Sequence, residues 1–305
     1  MTLDLAHLHP DYREAAQLPD DSRLTWLKTE RWIAFPKAMA VLDRLTYLLE
    51  YPTRPRMPCL LVYGRSGMGK SMALERFKKS HPAAFNKAEG TTVRPVVVFQ
   101  LPKEPDEERF WDQLLKGMEI ELRQPLSKKD GERLSIRLLR EARTRLLIMD
   151  ELNFILAGTA RQQRAFLNLI RFLTNELAIP VVCAGTPDAH QALLSDQHLA
   201  DRFDAMELTP WRDDESFVLL MRTLASTRPL RQRSDLESAP VRKRLIQLSE
   251  GVTGRIFRLI EEAAIAAIRS GREMMDIDTF ANDALVPPLA SMKRAVAKRG
   301  NGLGN

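Results

Sequence analysis

YGRSGMGKS, residues 63–71, sets Gly64, four further residues and then Gly69, Lys70 and Ser71, which fits the pattern G-x-x-x-x-G-K-[ST] without departure. The apolar run Cys59, Leu60, Leu61, Val62 precedes it with the composition of a buried strand. Met72, Ala73, Leu74, Glu75 and Phe77 follow it and start a helix. Strand, glycine-bearing loop and helix N-terminus, in that order, form the context in which the pattern grips phosphate. Glycine lets the backbone curl so that successive N–H groups point at phosphate oxygens, and the helix end adds a partial positive charge. In such a grip Gly64, Arg65, Ser66, Gly67, Met68 and Gly69 wrap the phosphates and Met72 continues the wall. Lys70 reaches the β- and γ-phosphates and the Ser71 hydroxyl ligates Mg2+. A chance match in a turn would not bring the flanking strand and helix with it.

At 305 residues the chain has room for one large domain or two modest ones. Its 44% hydrophobic and 28% charged residues are ordinary for a globular protein. No apolar run approaches the roughly 20 residues of a membrane span. The N-terminal MTLDLAHLHPDYREAAQLPDD also lacks the basic-then-apolar order of a secretory signal, so the expectation is a cytoplasmic protein without a membrane partner. Cys59 and Cys183 both fall in apolar strand-like runs and read as core residues in a reducing compartment; the five histidines show no ligand spacing. The net charge of +6 is compatible with nucleic acid without requiring it.

The chain reads as four segments. Residues 1–29 form a loose polar arm with short helices. Residues 30–210 alternate helices with apolar strands: a helix holding Ala38, Val41, Leu42, Leu45 and Leu48, the strand at Cys59, then strands from Arg94, Arg145 and Ile179 and a shorter one from Ala205. Strands apolar nearly throughout, separated by helices, predict an α/β fold with a parallel five-stranded sheet covered on both faces. Residues 211–285 are helical and form a small C-terminal lid, and residues 286–305 form a basic, disordered tail.

Further residues complete a nucleotide-hydrolysing set. The strand LLIMDEL ends on Asp150 and Glu151, and an acid at the end of an apolar strand is costly without a partner. Asp150 holds Mg2+, and Glu151 is placed to polarise the water that attacks the γ-phosphate. Thr186, after IPVVCAG, either hydrogen-bonds that water or γ-phosphate, or caps the following helix. Arg202 either reaches a neighbouring subunit's γ-phosphate as an arginine finger or pairs with Asp201 or Asp204. In GVTGRIFRLIEEA, from Gly251, Arg255 is favoured over Arg258 as a nucleotide sensor. Ile33 and Phe35 either line the base pocket or pack in the core.

Grip, acid pair, polar strand end, arginine and helical lid, in this order, resemble an AAA+ P-loop ATPase. The passages ERWIAFPKAMAVLDRL, RPRMPCLLVYGRSGMGKS and MDELNFILAGTARQQRAFLNLIRFLTNELAIPVVCAGTPDAHQALLSDQHLADRF, closing on LTPW, are similar to the TniB/TnsC family of transposition ATPases from about Arg31 to Ala284. Asn153 departs from that pattern, where relatives often carry His two positions after the glutamate. The resemblance implies ATP with Mg2+ as cofactors and a regulator that assembles with itself, as ring or filament, on double-stranded DNA. It hands the target to a DDE transposase, often with a TniQ-type adaptor, and ATP hydrolysis clears the assembly. It would be nucleoid-associated when on DNA. DNA running through such an assembly would meet Lys103, Lys128 and Lys129 in polar loops, and Arg161 and Arg164 after the acids; each is equally readable as a solvated surface charge. No zinc finger, clear helix-turn-helix or aromatic-rich strand is present to read bases, so contacts would be to phosphates and independent of sequence. The alternative reading is an AAA+ nucleotide switch acting on a protein partner, or in replication or helicase loading. A small-molecule kinase fits neither the adjacent acids nor the lid.

Overall fold

The computed structural model describes residues 4–124 and 126–281; the expected tail, 286–305, lies outside them. Two compact units result: Lys37–Thr209, and the described residues up to Pro36 together with those from Pro210 on. In chain order come α1 (Pro10–Gln17), α2 (Asp20–Lys28), α3 (Pro36–Leu49), β1 (Cys59–Tyr63), α4 (Lys70–Ser80), β2 (Ala84–Asn86), β3 (Thr91–Val93), β4 (Val96–Gln100), α5 (Glu107–Gly117), α6 (Lys128–Glu141) and β5 (Leu146–Asp150). A 3₁₀ turn (Leu152–Ala157) leads to α7 (Ala160–Glu176), β6 (Val181–Gly185), α8 (Pro187–Leu194), α9 (Gln197–Ala200) and β7 (Phe203–Glu207). The chain then continues through α10 (Glu215–Ser226), α11 (Ala239–Ser249), α12 (Thr253–Arg269) and α13 (Ile277–Ala281).

The α/β unit is built on a five-stranded sheet of order β4-β5-β6-β1-β7, parallel at every pairing. β1, β4, β5 and β6 are apolar almost throughout because both faces of the sheet are covered. On one face Cys59, Leu61, Val97, Phe99, Leu147, Met149 and Cys183 pack with Phe110 and Leu114 of α5 and Phe166, Ile170 and Leu173 of α7. Those helices start where polar caps satisfy their first N–H groups. The Asp106 carboxylate accepts from the Arg109 N–H at 2.8 Å, and Thr159 and Gln162 form a reciprocal box ahead of α7. The last strand starts two residues earlier than its composition indicates, at Phe203, because it pairs along the whole of β1, from Cys59↔Phe203 to Tyr63↔Glu207. The antiparallel β2–β3 hairpin was not foreseen; its strands have three residues each and carry no apolar run.

In the helical unit, Gly251 precedes α12 at φ +69°, and a Cβ there would lie 2.5 Å from the Trp211 carbonyl oxygen. The Trp211 indole N–H donates to the Thr253 hydroxyl at 2.9 Å, which ties the start of α12 to the chain entering the unit. Residues 4–29 are not the loose arm expected from their polarity. Leu5, Leu8, Ala15, Ala16 and Leu27 are buried, and α2 packs on α12. Arg23, fully buried, donates to Glu273 at 2.5 and 2.7 Å, to the Pro229 carbonyl at 3.1 Å and to Asp20 at 2.7 Å. A polar-looking helix is held here by one internal ion pair that composition does not reveal.

Candidate active site at the carboxyl edge of the sheet

β1 delivers the chain directly into the grip. Gly64 lies so close to β7's exit that a Cβ would sit 2.6 Å from the Leu208 carbonyl oxygen. Gly67 and Gly69 hold φ of +80° and +93°, left-handed values that glycine adopts at no steric cost. Met68 is buried and anchors the loop, whereas Arg65, Ser66 and Gly67 face outward and Met72 is half-exposed. Gly69 caps α4 without a side-chain acceptor, so the first N–H groups of an 11-residue helix are available to an anion.

The Lys70 ammonium donates to the Gly64 and Arg65 carbonyl oxygens at 2.7 and 3.1 Å. Burial pushes its pKa down, opposed by the charges of Asp150 and Glu151. Asp150 moves the other way: burial raises its carboxyl, opposed by hydrogen bonds from the Ser71 hydroxyl and the Glu151 N–H, the latter at 2.8 Å. Both shifts express one fact, that a cation and two acids share a poorly hydrated pocket. The hydroxyl of Ser71 and the carboxylate of Asp150, already touching, form a hard oxygen pair that suits Mg2+, which binds through one or two protein groups plus phosphates and water. No group of three or more His, Cys, Asp or Glu among the described residues makes a self-sufficient metal cage.

Glu151 holds φ +58°, a left-handed conformation that costs a non-glycine residue of order 1–3 kcal/mol and persists only where its surroundings enforce it. Thr186 follows β6, and the Gly185 carbonyl accepts from the Gly64 N–H at 3.2 Å, so this strand end abuts the grip. Thr186 occupies the N-cap position of α8 but makes no side-chain cap bond, and its buried hydroxyl has no protein partner. The capping alternative is therefore not realised. The buried side-chain Oδ1 of Asn153 also lacks a partner, and its backbone N–H lies against Gly185.

The remaining sequence candidates fall elsewhere. Arg202 sits at the opposite end of the strands, where its carbonyl accepts from the Cys59 N–H at 3.2 Å. Its guanidinium donates to the Thr174 hydroxyl at 2.8 Å; neither expected carboxylate partner is engaged, since Asp204 pairs with Arg44. Ile33 and Arg255 belong to the helical unit. Ile33 is buried there, Phe35 packs on Trp211 and Phe257, and Arg255 pairs with Glu250 at 3.1 Å while Arg258 pairs with Glu262 at 3.0 Å.

Lys128 and Lys129 are not in a loop, as expected from the polar run, but in the first turn of α6. Ser127 caps that helix by accepting from the Asp130 N–H. Lys128 also pairs with Glu107 at 2.6 Å. Lys103, Lys129, Arg161 and Arg164 are exposed. The loop carrying Lys103 meets the start of α7, where a Cβ on Gly158 would lie 2.3 Å from Pro105. Sequence reasoning missed the parallel stack of Tyr63 on His190, with centroids 4.4 Å apart, beside the grip. No periodic signal pairs those two positions.

A parallel sheet of this order, with the grip after β1 and an acid pair ending β5, defines the class: a P-loop NTPase fold of the AAA+ kind. Solved structures with this fold include Cdc6p from Pyrobaculum aerophilum, at 17% identity and TM-score 0.55 over 84% of this chain and 68% of that one. The Aeropyrum pernix ORC2 protein in ADPNP–ADP complexes matches at 14% and 0.55 over 85% and 70%, and Drosophila ORC bound to DNA at 15% and 0.50 over 90% and 66%. Residues 23–213 match the family described as Bacterial TniB protein, and the chain belongs to that family. No curated protein matches it. Among the described residues, no helix is long and apolar enough to cross a membrane.

Proposed function

We propose that this chain is an ATPase that assembles with copies of itself on double-stranded DNA and recruits a transposase, hydrolysis then dismantling the assembly. The observation that carries the chemistry is the convergence of Lys70, Ser71, Asp150, the strained Glu151 and the unpartnered Thr186 hydroxyl at one sheet edge. In the ATP complex Lys70 exchanges its carbonyl partners for β- and γ-phosphate oxygens, and the N–H groups of Gly67 to Ser71 hold the rest of the triphosphate. Ser71 and Asp150 would hold Mg2+, which would supply charge neutralisation to the phosphates. Glu151 takes the proton from the attacking water, whose oxygen bonds the γ-phosphorus as the bridging bond breaks and ADP leaves. Thr186 orients that water. Arg202, remote from its own grip, serves a neighbouring subunit's γ-phosphate, and Arg255 senses nucleotide from a lid formed by residues 211–285, with Ile33 against the base.

DNA binding is read from the family resemblance and from the exposed Lys103, Lys129, Arg161 and Arg164; Lys128 contributes less because Glu107 neutralises it. A TniQ-type adaptor is the further partner. The test is negative-stain imaging of the full chain with duplex DNA, with and without a non-hydrolysable ATP analogue. Rings or filaments that need both are expected. Monomers under every condition would sink the assembly reading in favour of a switch acting on a protein partner.

A further inference from the structure

The place of α8 in the α/β unit is not set by its own cap. The helix runs for eight residues from Pro187, and Thr186, at its N-cap, gives it no side-chain bond. An N-cap hydroxyl ordinarily accepts from an N–H of the first turn and so fixes where a helix starts. Here the start is held from outside. A Cβ on Gly185 would lie 2.8 Å from the Ala189 side chain, so β6 and α8 are close-packed at that point. One position on, the His190 ring lies flat on the Tyr63 ring, with centroids 4.4 Å apart and an angle of 5° between the planes.

Tyr63 is the better fixed of the two. As the last residue of β1 it pairs with Gly185 of β6 and with Glu207 of β7. Its carbonyl accepts from the Leu208 N–H at 2.7 Å, and its phenol donates to Glu207 at 3.5 Å. Gly64 follows directly and donates its N–H to the Gly185 carbonyl at 3.2 Å, so the Tyr63 ring stands where the sheet becomes the grip. The His190 imidazole, by contrast, makes no hydrogen bond or ion pair among the described residues, and the stack alone orients it. The His190 backbone N–H returns to the Thr186 carbonyl at 3.4 Å, one helical turn away, so the two residues share one side of α8. Stacked rings resist sliding apart because separation exposes both faces to water. A short helix pinned at that turn cannot shift without carrying Thr186 along. We propose that Tyr63 and His190 are positioning residues: their stack holds Thr186 at a fixed place beside the grip, so that its unpartnered hydroxyl meets the water attacking the γ-phosphate. This rests on the reading of Thr186 as the water-orienting group; what it adds is the strut that keeps Thr186 there, and the strut needs a flat ring rather than a proton.

The experiment measures phosphate release by the full chain with DNA and ATP, and binding of a fluorescent ATP analogue. His190→Ala is expected to lower turnover on the order of tenfold to a hundredfold, the scale of a misplacement of about 1 Å, with affinity for the analogue unchanged. His190→Phe, which restores a flat ring, should recover most of that loss, whereas His190→Leu, apolar but without a ring face, should not. The double variant is the sharper test. If His190 acts through Thr186, adding His190→Ala to Thr186→Val changes turnover no further, because the positioned group is already gone. Losses that multiply would show His190 acting independently and would overturn the proposal. So would a phenylalanine variant no faster than the leucine one, or a loss of analogue affinity equal to the loss of turnover, which would assign the stack to the shape of the grip. Wild-type turnover in Thr186→Val removes Thr186 from the mechanism and the inference with it. A slow Thr186→Val beside a wild-type His190→Ala overturns the strut alone and leaves Thr186 standing. Should circular dichroism show His190→Ala unfolded, the phenylalanine–leucine comparison and the double variant made with His190→Leu decide the matter.

Discussion

Glu151 stores backbone strain at the carboxyl end of β5, where the proposed mechanism needs a carboxylate facing the γ-phosphate, and its N–H is committed to Asp150 at 2.8 Å. Glu151→Gln removes the proton acceptor while keeping shape and strain. Turnover should drop by about 10² to 10⁴ with ATP affinity retained, measured by phosphate release and analogue binding; hydrolysis at the wild-type rate would refute the assignment. In the proposed function Lys70 contributes binding: it is 9% exposed and bonded only to loop carbonyls, so Lys70→Ala should weaken ATP binding by at least about tenfold, about 1.4 kcal/mol or more. An equilibrium titration with the fluorescent analogue decides this. Thr186→Val, which keeps the volume and deletes the unpartnered hydroxyl, should lower turnover without moving affinity. Equal losses in both would assign Thr186 to ground-state binding instead.

At the scale of elements, α2 joins the helical unit through the buried Arg23–Glu273 pair. Burial alone would raise the Glu273 carboxyl, but the hydrogen bond from Arg23, the Arg231 N–H and the two arginine charges outweigh it and hold it below the ordinary 4.5. A carboxyl depressed on folding contributes stability that is fully present above its unfolded pKa and lost as pH falls through the folded one. Thermal stability should therefore decline as pH is lowered through and below about 4.5, and Arg23→Met should flatten that dependence. The same variant strands a buried carboxylate and should cost about 3–5 kcal/mol by chemical denaturation. Adding Glu273→Gln should restore part of the loss. If Arg23→Met costs less than about 1 kcal/mol, the range for exposed pairs, then α2 is not fastened by this pair.

For the whole molecule, the arrangement to be tested is an assembly in which one subunit's carboxyl sheet edge meets another's Arg202 edge around DNA. Binding through phosphate contacts should weaken steeply with salt and ignore sequence, which fluorescence anisotropy over a salt series with unrelated duplexes measures. ATP-independent or sequence-selective binding would contradict it. Lys129→Glu and Arg164→Glu should each reduce the salt slope, whereas Lys128→Ala should change it little because Glu107 already neutralises that ammonium.

The grip, the acid pair, all five parallel strands (the last with a start two residues late) and the helices of the α/β and helical units were legible in the residues alone. Each rests on a local pattern: glycines beside a lysine and a serine, apolar runs of strand length, periodic apolar faces behind polar caps. Sequence also picked out the residues to which triphosphate binding and cleavage are assigned in the proposed function. Tertiary structure decided which of them meet. Thr186 lies 115 residues from Ser71 in the chain, yet its strand end abuts the grip because β6 pairs with β1. Tyr63 and His190 stack only because α8 packs on the end of β1. The packing of α2, the start of α6 at Lys128 and the length of β7 depended on Arg23, on the Ser127 cap and on the partner strand β1 respectively. Charge pairing, capping and strand register are made between residues distant in sequence or by single polar atoms, and neither leaves a periodic trace.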